Sequence, residues 1–170
     1  MAFVFTVEDG SNVAGANSYV TLAYAADYFA VDPSSATWEA LTDEQKQFYL
    51  AWATRLLDQK TEWRGFINED DQALRWPRKG AADRDYRTVN TNEIPNPVKA
   101  ATCELAKWLM TNDPTTGQDT DYLKRIKVDV IEIEYQDGTS QSSYPSIINA
   151  ILEGIGHFRT GSRGFGRIVR

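Results

Sequence analysis

The stretch TDEQKQFYLAWATRLLDQKTEWRGFINEDDQALRWPRKG, residues 42–80, decides how the rest of the chain is read. It opens with helix signals. Thr42 can accept a bond from a first-turn amide, and Gln45 can return one to the Thr42 amide. Asp43 and Glu44 put negative charge at the positive end of the helix dipole. Phe48, Trp52 and Leu56 recur every four residues beside Tyr49, Ala53 and Leu57, which predicts a helix with one broad apolar face, ending near Gln59. Two tryptophans follow in polar, irregular surroundings, in Trp63-Arg64-Gly65 and in Leu74-Arg75-Trp76-Pro77-Arg78. Rings of that size need an apolar surface, and the preceding helix is the nearest. The loop is therefore expected to be pinned by its aromatics, with its charges in water.

Working outward, the N-terminal side alternates over Phe3–Val7, which predicts a short strand closed by Asp9-Gly10. Ser18 or Thr21 can cap a helix carrying Leu22, Ala25, Ala26 and Phe29 on one face, and Asp32-Pro33 stops it. Trp38 and Leu41 lead into the Thr42 cap. On the C-terminal side, Lys79 to Asn92 is polar. Asn96 as cap and Pro97 at the first helical position start a helix with Val98, Ala101, Leu105 and Trp108 or Leu109 as its apolar stripe. Packing of that stripe against the 43–59 helix is the expected core. A helical turn is predicted at Tyr122-Leu123, a bulged strand over 127–135, and a last helix from Pro145 to a stop at Gly154. From Ile155 on, glycines alternate with arginines and form no closed apolar face. The predicted fold is mainly α: a small helical bundle with a minor β element, residues 1–155, and an extended basic C-terminal tail, residues 156–170.

At 170 residues, 42% hydrophobic and 25% charged, the chain is large enough for one domain with a core of its own. No run approaches the roughly 20 apolar residues of a membrane span. The opening Met1-Ala2-Phe3-Val4-Phe5 lacks a basic flank and soon meets Glu8 and Asp9, so no signal peptide is expected. A lone cysteine, Cys103, rules out an internal disulfide and suits synthesis in a reducing cytoplasm. The formal net charge is −6; residues 159–170 carry Arg159, Arg163, Arg167 and Arg170 and no acid, which leaves −10 for the rest. An acidic body is poorly suited to gripping phosphates over a wide surface.

Residues with catalytic chemistry are scarce. His157 is the one histidine, so no triad or histidine-pair metal site can be assembled, and one Cys with one His does not make a zinc site. Glu69-Asp70-Asp71 lacks calcium-loop spacing and reads as a solvated turn. Asp27, Asp58 and Asp83 have no carboxylate partner at short range. Gly161, Gly164 and Gly166 neither follow a strand nor open a helix, so they are no phosphate cradle. The expectation is a protein without enzymatic activity and without cofactor or metal. A single-strand stacking platform remains open, because Arg64, Arg75, Arg78, Lys79, Arg84 and Arg87 interleave with Trp63, Phe66, Trp76 and Tyr86. Against it, residues 60–87 hold seven basic and six acidic side chains. Local ion pairs with tryptophans pinned inside are the favoured reading.

Ala16-Asn17-Ser18-Tyr19-Val20, Ala26-Asp27-Tyr28-Phe29, Trp38, Ala53-Thr54-Arg55-Leu56-Leu57-Asp58, Trp63-Arg64-Gly65, Gln72-Ala73-Leu74-Arg75-Trp76-Pro77-Arg78 and Ile94-Pro95 together resemble a family of tailed-bacteriophage proteins. These are head–tail connector (adaptor, or head-completion) proteins often labelled DnaT-like single-stranded-DNA-binding. The likeness covers roughly residues 16–110, and the Leu-Arg-Trp-Pro-Arg segment is its most specific part. It implies a structural virion protein at the neck, made in the host cytoplasm, that links head to tail as a homo-oligomeric ring of about twelve copies. The implied partners are the portal protein and a tail or neck protein on the distal face, with no membrane. Genomic duplex DNA would pass through an acidic channel without sequence-specific binding. Trp63, Arg64, Gly65, Leu74, Trp76, Pro77 and Arg78 would be the structural motif. Phe158, Arg159, Arg163, Phe165, Arg167, Ile168, Val169 and Arg170 would dock the tail on the portal. The alternative is a DnaT-like single-stranded-DNA-binding protein using Trp63, Trp76 and the nearby arginines.

Overall fold

The computed structural model describes residues 3–33, 35–113 and 144–160. In chain order the elements are α1 (Leu22–Phe29), α2 (Ser35–Glu39), α3 (Asp43–Lys60), β1 (Thr61–Trp63), β2 (Phe66–Ile67), β3 (Arg78–Lys79), α4 (Asn96–Leu109), α5 (Ile147–Ile151) and β4 (Gly156–Phe158). The caps follow local chemistry. Thr21 accepts from the Tyr24 amide to start α1, and Thr42 with Gln45 closes a reciprocal capping box on α3. α4 begins one residue away from the expected cap: Pro95 holds the cap position, without a side-chain bond, and Pro97 lies in the first turn.

α4 lies along α3, and this pair forms the centre of the core. Leu50, Ala53, Leu56 and Leu57 of α3 meet Val98, Ala101, Leu105 and Ala106 of α4, all buried. Each fully buried leucine contributes about 2 kcal/mol through the surface it removes from water. The buried stripe of α3 is displaced from the predicted one: Phe48 is 45% exposed and Trp52 half-buried, while Leu50 and Thr54 take the inner positions. α5 packs on α4, and Tyr144 links the two ends, with Trp108 at 4.7 Å and Phe158 at 5.3 Å between ring centroids.

A helical bundle is not what the chain forms. Helix accounts for 39% and strand for 11% of the described residues, in five helices and two two-stranded ribbons. The reason lies between Lys60 and Asn96, where no helix forms. There β1 pairs antiparallel with β4, β2 pairs antiparallel with β3, and the Gln72 and Arg78 side chains bond several of the loop's backbone groups. The expected strand at Phe3–Val7 is reduced to a single bridge, Val7 to Ser18. The Asn17 side chain takes its place, accepting from the Thr6 amide at 3.1 Å and donating to the Val4 carbonyl at 2.7 Å. The turn at Tyr122-Leu123 and the strand over 127–135 lie outside the described residues.

Candidate nucleic-acid interface

The tryptophan loop is a brace. Trp76 is wholly buried, and Trp63 meets it edge-on at 5.7 Å. Arg78, also buried, donates from Nε to the Arg64 carbonyl (2.8 Å), from Nη1 to Arg75 (3.2 Å) and from Nη2 to Gly65 (2.7 Å). One guanidinium thus closes both ends of the loop. Gly65 is required where it stands: its φ is +71°, and a Cβ would overlap the Lys79–Ala81 backbone. The Trp76-Pro77 peptide is cis. Below the loop, Asp58 accepts from the Tyr19 hydroxyl at 2.6 Å and the Arg75 amide at 3.0 Å, and the Tyr19 oxygen accepts from the Trp76 amide at 3.1 Å. Desolvation outweighs these bonds and lifts the Asp58 carboxyl to about 6. Trp63, Arg64, Gly65, Leu74, Trp76, Pro77 and Arg78 are therefore brought together around the brace. A stacking platform built on Trp76 is excluded, because neither of its faces reaches solvent.

Two other rings of that stretch face water. Phe66, on β2, is 73% exposed, and Tyr86 is 91% exposed. Tyr86 stands on a hairpin that follows β3: Ala82 bridges Thr88, and the Val89 amide donates to the Ala81 carbonyl at 2.9 Å. Asp83 Oδ1 accepts from the Asp85 and Arg87 amides, both at 2.9 Å, which tightens the tip. The tip holds Tyr86 at φ +61°, a conformation that a bulky residue seldom adopts. Behind it, Gly154 (φ +94°) sits where a Cβ would overlap the Asp83–Arg84 backbone, so the hairpin rests directly on the turn after α5. Lys79, paired with Phe66 in the ribbon, Arg64, two residues before Phe66, and Arg84 and Arg87, in the hairpin with Tyr86, are all exposed. Asp85, bonded at 2.7 Å, and Asp83 raise the Arg87 pKa, and Arg84 lies 3.8 Å from Glu153.

A second surface feature runs along α3. Phe3 meets Phe48 in a tilted ring contact at 4.8 Å, and a groove of about 720 Å³ is lined by Phe3, Trp52, Arg55, Leu74 and Arg75, with Asp58 also in its lining. Trp52 in the lining, and Phe48 beside Phe3, belong to the apolar repeat that predicted the core.

The residues expected to form a docking tail divide at Thr160. Phe158 is buried in β4, where its amide donates to Asn149 Oδ1 at 2.7 Å and its carbonyl accepts from Asn149 Nδ2 at 2.9 Å. Arg159 pairs with Glu62, and its amide donates to the Lys60 carbonyl. Both belong to the packed body, so a boundary at 155 does not part body from tail. Arg163, Phe165, Arg167, Ile168, Val169 and Arg170 lie outside the described residues. His157 is exposed on β4 opposite Glu62. Cys103 is buried on α4, where burial pushes its thiol up and leaves it protonated. Among the described residues no three His, Cys, Asp or Glu side chains converge on a metal position, and no helix is long and apolar enough to cross a membrane.

A braced body of mixed helix and ribbon, presenting exposed aromatic rings among cations on one set of loops, defines a small domain built around a pinned tryptophan loop. Comparison with family models matches residues 2–170 to the family described as "Putative DnaT-like ssDNA binding protein". The chain belongs to that family. No curated protein and no solved structure matches it.

Proposed function

We propose that this chain binds single-stranded DNA through the face formed by the β2–β3 ribbon and the 81–89 hairpin. The observation that carries the reading is Tyr86, exposed and held outward by a braced hairpin in a left-handed conformation. Phe66 supplies a second ring on the neighbouring ribbon. Unpaired bases can stack on such rings, whereas the bases of a duplex already stack on one another. Arg64, Lys79, Arg84 and Arg87 meet the backbone phosphates, and the acidic remainder of the body confines the strand to this face. The family description supports the same ligand. Anisotropy of a fluorescein-labelled 20-mer of thymidine, titrated at 50 and 200 mM salt, tests it. Binding should weaken with salt, and Phe66→Ala and Tyr86→Ala should each cost about tenfold. No binding at low salt, or binding indifferent to both substitutions, refutes the reading.

A second reading is favoured by a separate observation, the −10 carried by residues 1–158 together with the connector-like motifs that form the brace. In it the chain is a structural virion protein: a head-to-tail adaptor ring under the portal, contacting a tail or neck protein on its distal face, with duplex DNA passing through. Since β4 ends at Phe158, the docking segment in this reading is residues 161–170. Mass measurement of the chain mixed with the portal ring of the same virus should show a complex that removal of residues 161–170 abolishes. No complex with the full chain refutes it.

A further inference from the structure

The groove along α3 has the chemistry of a peptide site separate from the aromatic ribbon face. Its lining mixes apolar groups, Phe3, Trp52 and Leu74 among them, with polar ones such as Asn17 and Gln59. Arg55 and Arg75 are exposed lining residues, and neither comes within ion-pair distance of a carboxylate among the described residues, although the Arg75 charge acts on Asp58 in the same lining. Asp58, in the same lining, is already bound to the Tyr19 hydroxyl and the Arg75 amide. Tryptophan and arginine around a partly apolar hollow is also the composition of protein-binding hot spots.

We propose that this groove binds an acidic, apolar segment of a partner protein. Large aliphatic or aromatic side chains fill the hollow between Trp52 and Leu74, and carboxylates reach Arg55 and Arg75 in forked pairs. The acidic remainder of the surface repels such a segment, so the two arginines set where it lands. A nucleic-acid strand fits less well: it carries a phosphate at every nucleotide, only two cations border the hollow, and the rest of the body is acidic.

The probe is a fluorescein-labelled decapeptide alternating Glu with Leu and Phe, measured by anisotropy against the same peptide with Lys in place of Glu. The acidic peptide should bind at least tenfold tighter than the basic one and weaken as salt rises. The double variant Arg55→Glu/Arg75→Glu should lose that binding, and Trp52→Ala should weaken it severalfold, with far-ultraviolet circular dichroism confirming that each is folded. Equal binding of the two peptides, no binding of the acidic one, or retention by the double variant overturns the proposal. So does displacement of the peptide by the thymidine 20-mer, which would assign the groove to nucleic acid. Because Phe66 and Tyr86 lie outside the groove, loss of oligonucleotide binding in their variants leaves this result untouched.

Discussion

The Asp58→Asn substitution separates two effects at the same carboxylate. In the folded chain the carboxyl titrates at about 6, against an ordinary 3.8, because its surroundings penalise the charge more than Tyr19 and Arg75 favour it. Since the folded-state value lies above the unfolded one, this group's contribution to stability is fully present below about pH 4 and is lost as pH rises through about 6. Between pH 5 and 7.5 the loss amounts to about 1.4 kcal/mol, from two titrations separated by the shift just given. Asparagine cannot ionise, so the variant escapes that loss. It suffers another, because one of the two carboxylate oxygens becomes an amide nitrogen facing a donor, at a cost of about 1–3 kcal/mol. That second cost does not change with pH.

Urea unfolding followed by tryptophan fluorescence, on both proteins at pH 5.0, 6.0 and 7.5, reads the difference directly. The stability of Asp58→Asn relative to the parent should climb by about 1.4 kcal/mol across that range, whatever its absolute value. Other carboxylates cancel in the comparison, since both chains carry them. Parallel stabilities at all three pH values would refute the argument. They would mean that Asp58 ionises in the fold as freely as in the open chain, its hydrogen bonds having offset desolvation in full.

Three further outcomes follow from the packing. Tyr86→Gly relieves the φ of +61° and should leave stability equal or raise it by up to about 1 kcal/mol, while oligonucleotide affinity falls about tenfold; a clear loss of stability would show the ring packed rather than presented. Trp76→Ala empties the space under the loop and should cost about 3–5 kcal/mol in denaturant unfolding, and a loss under 1 kcal/mol would mean that Arg78 and Asp58 hold the loop without the ring. Gly154→Ala drives a Cβ into the Asp83–Arg84 backbone at φ +94° and should cost about 2 kcal/mol or more; a neutral result would show that the hairpin moves freely over α5.

Much of the helical framework was legible because its signals are local. Thr42 and Gln45 sit three apart and close the box they predict, and Thr21 caps the helix that follows it. The ribbons were not legible. β1 finds its partner more than ninety residues along the chain, in Gly156–Phe158, and a three-residue strand has too few positions to show alternation. That long-range pairing is also why Phe158 and Arg159 read as tail: their glycine-rich neighbourhood looked open, whereas Asn149 and Glu62, which hold them, are far away in sequence. The strand expected at Phe3–Val7, which forms only the Val7–Ser18 bridge, fails for a different reason. Asn17 reproduces with its side chain the bonds that a partner strand would have made.

The candidate site shows the same division more sharply, because four aromatics of similar composition met opposite fates. Trp63 and Trp76 turned inward as expected from their size. Nothing in the spacing distinguished Phe66 and Tyr86, which turned outward. What separates them is backbone geometry. Trp76 follows an arginine whose amide is fixed by Asp58 and precedes a proline and Arg78, so its ring is carried down into the body. Tyr86 falls at the tip of a turn closed on Asp83 by its own amide, which donates to the Asp83 carbonyl at 3.0 Å, and by the Asp85 and Arg87 amides, which donate to the Asp83 side chain; its ring stands in solvent. Asp83-Arg84-Asp85 before a tyrosine was a readable turn signal of the kind aspartates give by bonding two residues onward. Taken as an ion-pair cluster, it concealed one of the two non-glycine residues held at positive φ among the described residues, the other being Asn12. The charge pattern that argued against nucleic acid is the same pattern that builds the hairpin. Asp83 accepts from the Asp85 and Arg87 amides and Asp85 pairs with the Arg87 side chain, so these acids count as scaffold for Tyr86 before they count as repulsion toward phosphate.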